Sequence, residues 1–128
     1  MKIWVDKDNC TGCEICIPIC PYDAIEIIEE IAVLARKAFF MYTTSIDAFL
    51  SMKALDTLVW TKMDDEIDSL HVKIIDNIRS IMSNDCVNIN AGTSLILATR
   101  YIERIADHAC NIAEESTYVV TSKKEKIE

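Results

Sequence analysis

Apolar residues recur every three or four positions through most of the chain. Leu55, Leu58, Val59, Met63, Ile67, Leu70, Ile74, Ile78 and Ile81 form one such series, the spacing that lines one face of a helix. Leu95, Ile102, Ala106, Ala109, Ala113 and Val120 form a second. Ile28, Ile31, Ala35, Ala38, Tyr42, Ser45 and Phe49 form a third, less regular one. Helices are therefore expected near 25–50, 54–83 and 91–121, each ~40 Å long at the α-helical rise. The pattern breaks at Ser51-Met52-Lys53, which suits a short turn, and over the polar residues 83–90, where Asn88 or Asn90 is placed to cap the last helix. Connections this short make sequential helices antiparallel neighbours, so the expected fold is mainly α, an up-down-up three-helix bundle.

The first 28 residues follow another pattern. Residues 2–5 and 24–27 have the composition of short strands, the second being equally readable as the start of the first helix. Pro18, Pro21 and Gly12 all fall here, whereas residues 23–124 hold no proline and a single glycine, Gly92.

Composition narrows the partners. The 128 residues are 51% apolar, enough for one core, and carry a net charge of −8. An acidic surface disfavours a nucleic-acid backbone, whose recognition rests on clustered Lys and Arg. No apolar run reaches the roughly 18 residues of a membrane span; the oiliest stretch, 31–50, is interrupted by Arg36, Lys37 and Asp47. No apolar segment with a small-residue cleavage site follows the first residues, so no signal peptide is read there. The expected setting is the cytoplasm, peripheral to a membrane at most.

Four of the six cysteines lie within eleven residues. Cys10, Cys13, Cys16 and Cys20, followed by Pro21, make the run C-x2-C-x2-C-x3-C-P, the spacing of bacterial iron–sulfur segments. Two-residue spacers let three thiolates converge on one cubane while loop N–H groups face its sulfides. Disulfide frameworks instead join distant loops. A structural zinc ion is the competing occupant, though it usually draws Cys pairs from separated segments. The spacing favours a [4Fe–4S] cluster. The expected organisation is an iron–sulfur segment over 1–28, a helical bundle over 29–122 and a charged, fraying tail over 123–128.

On the helices, Asp64 and Asp68 are four apart, as are Glu103 and Asp107. That spacing stacks two carboxylates on one face, where they repel by a few tenths of a kcal/mol. Either solvent relaxes them, as on most acidic helix faces, or a cation sits between them; an oxygen-rich patch suits Mg²⁺, Mn²⁺ or iron, with Zn²⁺ not excluded. Glu103, Asp107, Cys110 and Glu114 share a face on the flank of the apolar stripe, and His71 shares that of Asp64 and Asp68. His108 points away from Glu103 and Asp107. Cys110 reads as a small, half-buried thiol, and Cys86 as a bystander in the loop. Trp4 and Trp60 are expected to pack. No nucleophile elbow, glycine-rich phosphate loop or Cys-His pair is present, so no enzyme is expected.

Two resemblances add to this reading. Residues 2–28, a short strand, the cysteine loop, Cys-Pro and then Tyr-Asp-Ala-Ile-Glu-Ile, resemble one half of a bacterial two-cluster ferredoxin. In that family the fourth cysteine of each run serves the other cluster, so the resemblance implies that Cys20 either closes its own cluster or is exchanged between two chains. Residues 95–122, with Tyr-Ile-Glu-Arg-Ile-Ala-Asp-His-Ala at their centre, and residues 54–70 resemble the signature helices of PhoU-like phosphate-uptake regulators, the likeness covering about 28–122. That family carries acidic motifs on neighbouring helices that hold a surface metal cluster, which implies metal at Asp64, Asp68, Glu103 and Asp107. His108 matches a family position but is expected to orient Arg104 or Tyr101. PhoU proteins usually carry two three-helix repeats and one is present here; a homodimer would restore the second. The resemblance implies a regulator of phosphate uptake that docks on a phosphate ABC transporter and a sensor kinase. The alternatives are a ferredoxin-type electron carrier with a helical docking module, or a protein of iron storage or trafficking.

Overall fold

The computed structural model describes residues 24–84, 86–124 and 126–127, with side chains from residue 27 onward. The expected strand at 2–5, Trp4, and the cysteines at 10, 13, 16 and 20 lie outside the described residues. Three long helices, α1 (Ala24–Leu50), α2 (Thr57–Asn84) and α3 (Ile89–Thr121), account for almost all of the described chain. Residues 24–27, ambiguous in sequence between strand and helix, begin α1, which therefore runs straight through residue 28.

The end of α1, the start of α2 and the end of α3 have identifiable signals. At the end of α1, Lys53 N–H reaches back to the Ala48 carbonyl (3.0 Å) and Met52 N–H to that of Phe49 (3.2 Å), with Met52 at φ 52°. This is the six-to-one and five-to-two pairing of a Schellman motif, which normally places glycine where Met52 stands. Asp56 starts α2: its Oδ1 accepts the Leu58 N–H at 3.0 Å, an N-cap that satisfies one of the orphan donors of the first turn. Between α2 and α3 the expected polar loop is almost wholly helical, with a single 3-10 turn over Cys86–Asn88. Asn88 takes the N-cap position of α3 but has helical backbone angles and makes no side-chain cap, because the 3-10 turn already leads the chain in. Ser122, at φ 58°, ends α3 by returning its N–H to the Tyr118 carbonyl at 2.8 Å.

Interhelical contacts fix the directions. Asn77 and Lys73 of α2 reach Glu30 of α1, and Lys37 of α1 reaches Glu66 of α2 at 2.6 Å. The order is reversed along the two helices, which are antiparallel. Ser116 Oγ of α3 donates to the Lys53 carbonyl just past α1, and Thr117 Oγ1 accepts the Leu55 N–H, both at 3.2 Å. The C-terminal ends of α1 and α3 thus lie side by side, giving the up-down-up bundle.

The core runs along the three facing stripes. Leu34, Met41, Ile67, Ile74, Ile78 and Ala109 are essentially inaccessible to solvent. On α1 the buried series is Ile27, Leu34, Ala38, Met41, Ser45 and Ala48. The expected stripe was turned by about one residue: Ala38 and Ser45 are buried, but Ile28, Tyr42 and Phe49 are exposed. On α2, Leu58 and Val59 are also exposed while Trp60 packs inward. On α3, Thr99, Ser116 and Thr117 enter the core beside the alanines, and Val120 lies outside it.

Candidate functional site

The acidic residues singled out from spacing meet along the seam between α2 and α3. The deepest of the group is Cys110, almost fully buried, whose thiol donates to Asp64 Oδ1 at 3.3 Å. One helix turn in either direction on α3 brings Asp107 and Glu114 into the same seam and a second turn brings Glu103, while Asp68 and His71 follow Asp64 along α2.

Their electrostatics show how closely the groups are coupled. The Asp64 carboxyl titrates above its ordinary value, chiefly because burial strips its hydration. The Cys110 hydrogen bond works in the opposite direction, and the neighbouring Asp68, Asp107 and Asp65 charges raise it further. Glu103 is also raised, first by burial and then by Asp107; His71 and Arg100 pull it down, and Asp68 pushes it up. The Cys110 thiol is pushed far above the ordinary thiol range by burial and then by Asp64, with Asp107 and Glu114 adding to it. Cys110 thus serves in this seam as a hydrogen-bond donor to Asp64. His71 keeps a buried Nε2 without a hydrogen-bond partner among the described residues.

Asp64, Asp68, Glu103 and Asp107 thus form one negative patch drawn from two helices, on the flank where the wheel places it. Among the described residues, however, no three His, Cys, Asp or Glu side chains converge on a point that could hold a metal ion. As arranged, the carboxylates do not fit a resident cation. His108 is exposed, and no hydrogen bond ties it to Arg104 or Tyr101 among the described residues. The contact between Asp64 and Cys110 had no sequence signal, because no periodicity rule links residues on different helices.

The comparison with known proteins falls on this same bundle. The family model of the PhoU domain matches residues 31–116. The chain belongs to the PhoU family. A second family model, the 4Fe-4S binding domain, matches residues 3–26, the segment that holds the four clustered cysteines. The chain is 31% identical over 99 residues to the phosphate-specific transport system accessory protein PhoU homolog of Clostridium acetobutylicum, a match covering 77% of this chain and 45% of that protein. The homolog so named in Synechocystis is 29% identical over 113 residues, covering 88% and 50%. That of Deinococcus radiodurans is 38% identical over 65 residues, covering 51% and 30%. The chain thus spans about half the length, or less, of these curated relatives. No solved structure matches it.

Proposed function

We propose that this PhoU-family chain is an accessory regulator of phosphate transport that carries a [4Fe–4S] cluster ahead of its helical domain. The observation that carries the reading is the match of the PhoU domain to the bundle residues 31–116, on which the acidic α2–α3 seam is built. The relatives' names tie their own proteins to the phosphate-specific transport system; for this chain the partners are a phosphate ABC transporter and a sensor kinase. The chain acts by docking and conformational bias and not by turnover. It works at the cytoplasmic face, as a homodimer and peripheral to the membrane. In support, no described helix is long and apolar enough to cross a bilayer.

The donor set at the start of the chain fits a cubane cluster: four thiols in the iron–sulfur spacing, in a segment matched by the 4Fe-4S binding domain. Cys10, Cys13, Cys16 and Cys20 would hold it, and when bound it supplies one-electron redox chemistry. The chain's own contribution at the seam is different. Asp64, Asp68, Glu103 and Asp107 hold negative charge against one another in a partly desolvated groove. The patch attracts cations electrostatically, but takes a divalent ion only if those side chains re-aim across the α2–α3 seam.

The test is phosphate uptake by cells that lack their own accessory protein, complemented with this chain, with Asp64→Asn/Glu103→Gln, and with Cys16→Ser. The regulatory reading expects the unaltered chain to lower uptake in phosphate-rich medium and the seam variant to lose that effect. If the unaltered chain leaves uptake unchanged while remaining folded, the reading is wrong. The second reading, a ferredoxin-type electron carrier, is favoured by the match over residues 3–26 alone. It expects rapid reversible reduction by a low-potential donor, with uptake indifferent to the seam variant.

A further inference from the structure

α1 carries a second apolar stripe that the bundle does not use. One residue out of phase with the buried series stand Phe39, Tyr42 and Phe49, exposed by 64%, 43% and 47%. On α3, Tyr101, Ile105 and Val119 form a matching row, exposed by 62%, 46% and 49%. The two rows flank the same groove: Ile46 and Phe49 of α1 and Asn111, Ile112 and Glu115 of α3 line a shallow apolar cleft of about 350 Å³. Because residues three, four and seven apart share a helix face, the α1–α3 surface turned away from α2 is mainly apolar, with exposed His108 and Glu115 set into the α3 row. The acidic seam lies on the other side of α3.

We infer that this face binds a second copy of the chain through a two-fold axis perpendicular to α1 and α3, so that each helix packs antiparallel on its own counterpart. This inference gives a surface to the homodimer proposed above and rests on that reading. Two observations name the occupant. The first is area. Half a dozen large side chains, each exposed by about half, offer on the order of 600–800 Å², approaching the about 800 Å² that each partner contributes to a stable interface. The second is charge. Exposed Arg36 and Asp47 sit eleven residues apart along one rim of the face on α1, and exposed Arg104 and Glu115 sit eleven apart along the other rim on α3. Eleven residues are three helical turns, so each pair stays on one flank. In both pairs the cation comes first. Because α1 and α3 run parallel with Phe49 level with Ile112 and Glu115, the midpoints of the two pairs lie within about one turn of each other. A single two-fold axis between those levels brings Arg36 within side-chain reach of the partner's Asp47 and Arg104 within reach of the partner's Glu115, each pair occurring twice. Such self-complementarity is what an isologous interface requires. It also lets a chain of net charge −8 meet its copy over a neutral, apolar surface.

The experiment is sedimentation equilibrium on the full chain, prepared without oxygen, at tens of micromolar. The unaltered chain should have the mass of two chains. Phe39→Glu and Tyr101→Glu change exposed positions, so circular dichroism should report an unchanged helix content, and each should raise the dimer dissociation constant by about 30-fold or more, the range of central interface residues. Arg36→Asp alone should weaken the dimer, and Arg36→Asp/Asp47→Arg should restore it. A single-chain mass for the unaltered protein overturns the inference. So does a dimer that survives both glutamates, as one joined through exchanged Cys20 ligands would. A double charge swap that fails to recover the dimer overturns the proposed pairing. Each readout is a mass, independent of phosphate uptake, so failure here and failure of the regulatory reading are told apart.

Discussion

Asp64 and Cys110 are 46 residues apart in sequence, yet the Cys110 thiol hydrogen-bonds Asp64 Oδ1 at 3.3 Å and closes the α2–α3 seam. The contact ties a residue of the core to a partly desolvated member of the acidic patch. Burial raises the Asp64 carboxyl, the S–H donor lowers it, and Asp68, Asp107 and Asp65 raise it again. Once ionised, this carboxylate is less favourably placed in the folded chain than in the unfolded one.

The sign of the pH dependence follows. Asp64 and Glu103 have folded values above their ordinary 3.8 and 4.5. Their contribution to stability is complete below those ordinary values and is lost as pH rises through the folded ones. Asp64→Asn retains an oxygen to accept the Cys110 S–H while removing the charge. It should stabilise the chain at pH 7 by a few tenths of a kcal/mol, the size of a screened like-charge pair, and the gain should vanish near pH 3. Thermal unfolding of both proteins across that range checks it; a variant destabilised at pH 7 would show that the seam needs the negative charge.

Met52 occupies a backbone position that suits glycine. At φ 52° an L side chain costs about 1 kcal/mol or more, and the Met52 side chain is exposed by 59%, so it offers little packing in return. Met52→Gly should raise stability by about 0.5–1 kcal/mol, the glycine's extra unfolded-state entropy offsetting part of the gain. Urea denaturation at constant m-value is the measurement, and an unchanged midpoint would mean that the Schellman turn relaxes around methionine.

Gly92 is the close-approach point of α3 on α2. A Cβ there would stand 2.5 Å from Met82 Cγ and Sδ, and 3.2 Å from Ile78 Cγ2. Alanine gains about 1 kcal/mol of helix propensity but must displace the Met82 side chain, so Gly92→Ala should come out within about 1 kcal/mol of neutral. Gly92→Val cannot be absorbed by methionine alone and should cost about 1–3 kcal/mol. Adding Met82→Ala should recover more of the loss in the valine variant than in the alanine one, a coupling that a double-mutant cycle reads directly.

The bundle and its direction were legible because long, proline-free stretches with a 3.6-residue period leave little choice of fold. α1 showed the limit of that argument. Its apolar residues cover two stripes one position apart, Leu34, Met41 and Ala48 on one, Ala35, Tyr42 and Phe49 on the other. Periodicity cannot say which faces the core and which is left over. Thr99 escaped notice for another reason: a helical hydroxyl can return its proton to the carbonyl four residues back, here Leu95 at 2.8 Å, and so be buried at little cost. The seam residues could be named from i,i+4 spacing, which orders side chains within a helix. Whether the two pairs converge on a metal depends on the relative rotation of α2 and α3, which spacing within each helix does not encode.

Ser116 and Thr117 latch the turn between α1 and α2 onto the end of α3. Ser116 Oγ donates to the Lys53 carbonyl and Thr117 Oγ1 accepts the Leu55 N–H, and both side chains are buried. Thr117→Val keeps the volume but removes the acceptor, leaving the Leu55 N–H without its partner at a cost of about 1–3 kcal/mol. Ser116→Ala removes the donor and spares a carbonyl that retains a second lone pair, so its cost should sit nearer 0.5–1.5 kcal/mol. Because this latch, with the Schellman and Asp56 caps, holds the backbone of residues 51–56 against the bundle, the effect should be local as well as global. Hydrogen exchange at Leu55 should accelerate in Thr117→Val by more than the loss of global stability explains, while amides around Ile74 in the core follow the global change alone. Equal acceleration at both sites would mean that the turn opens only when the whole bundle unfolds, and that the two hydroxyls stabilise α3 itself and not the connection.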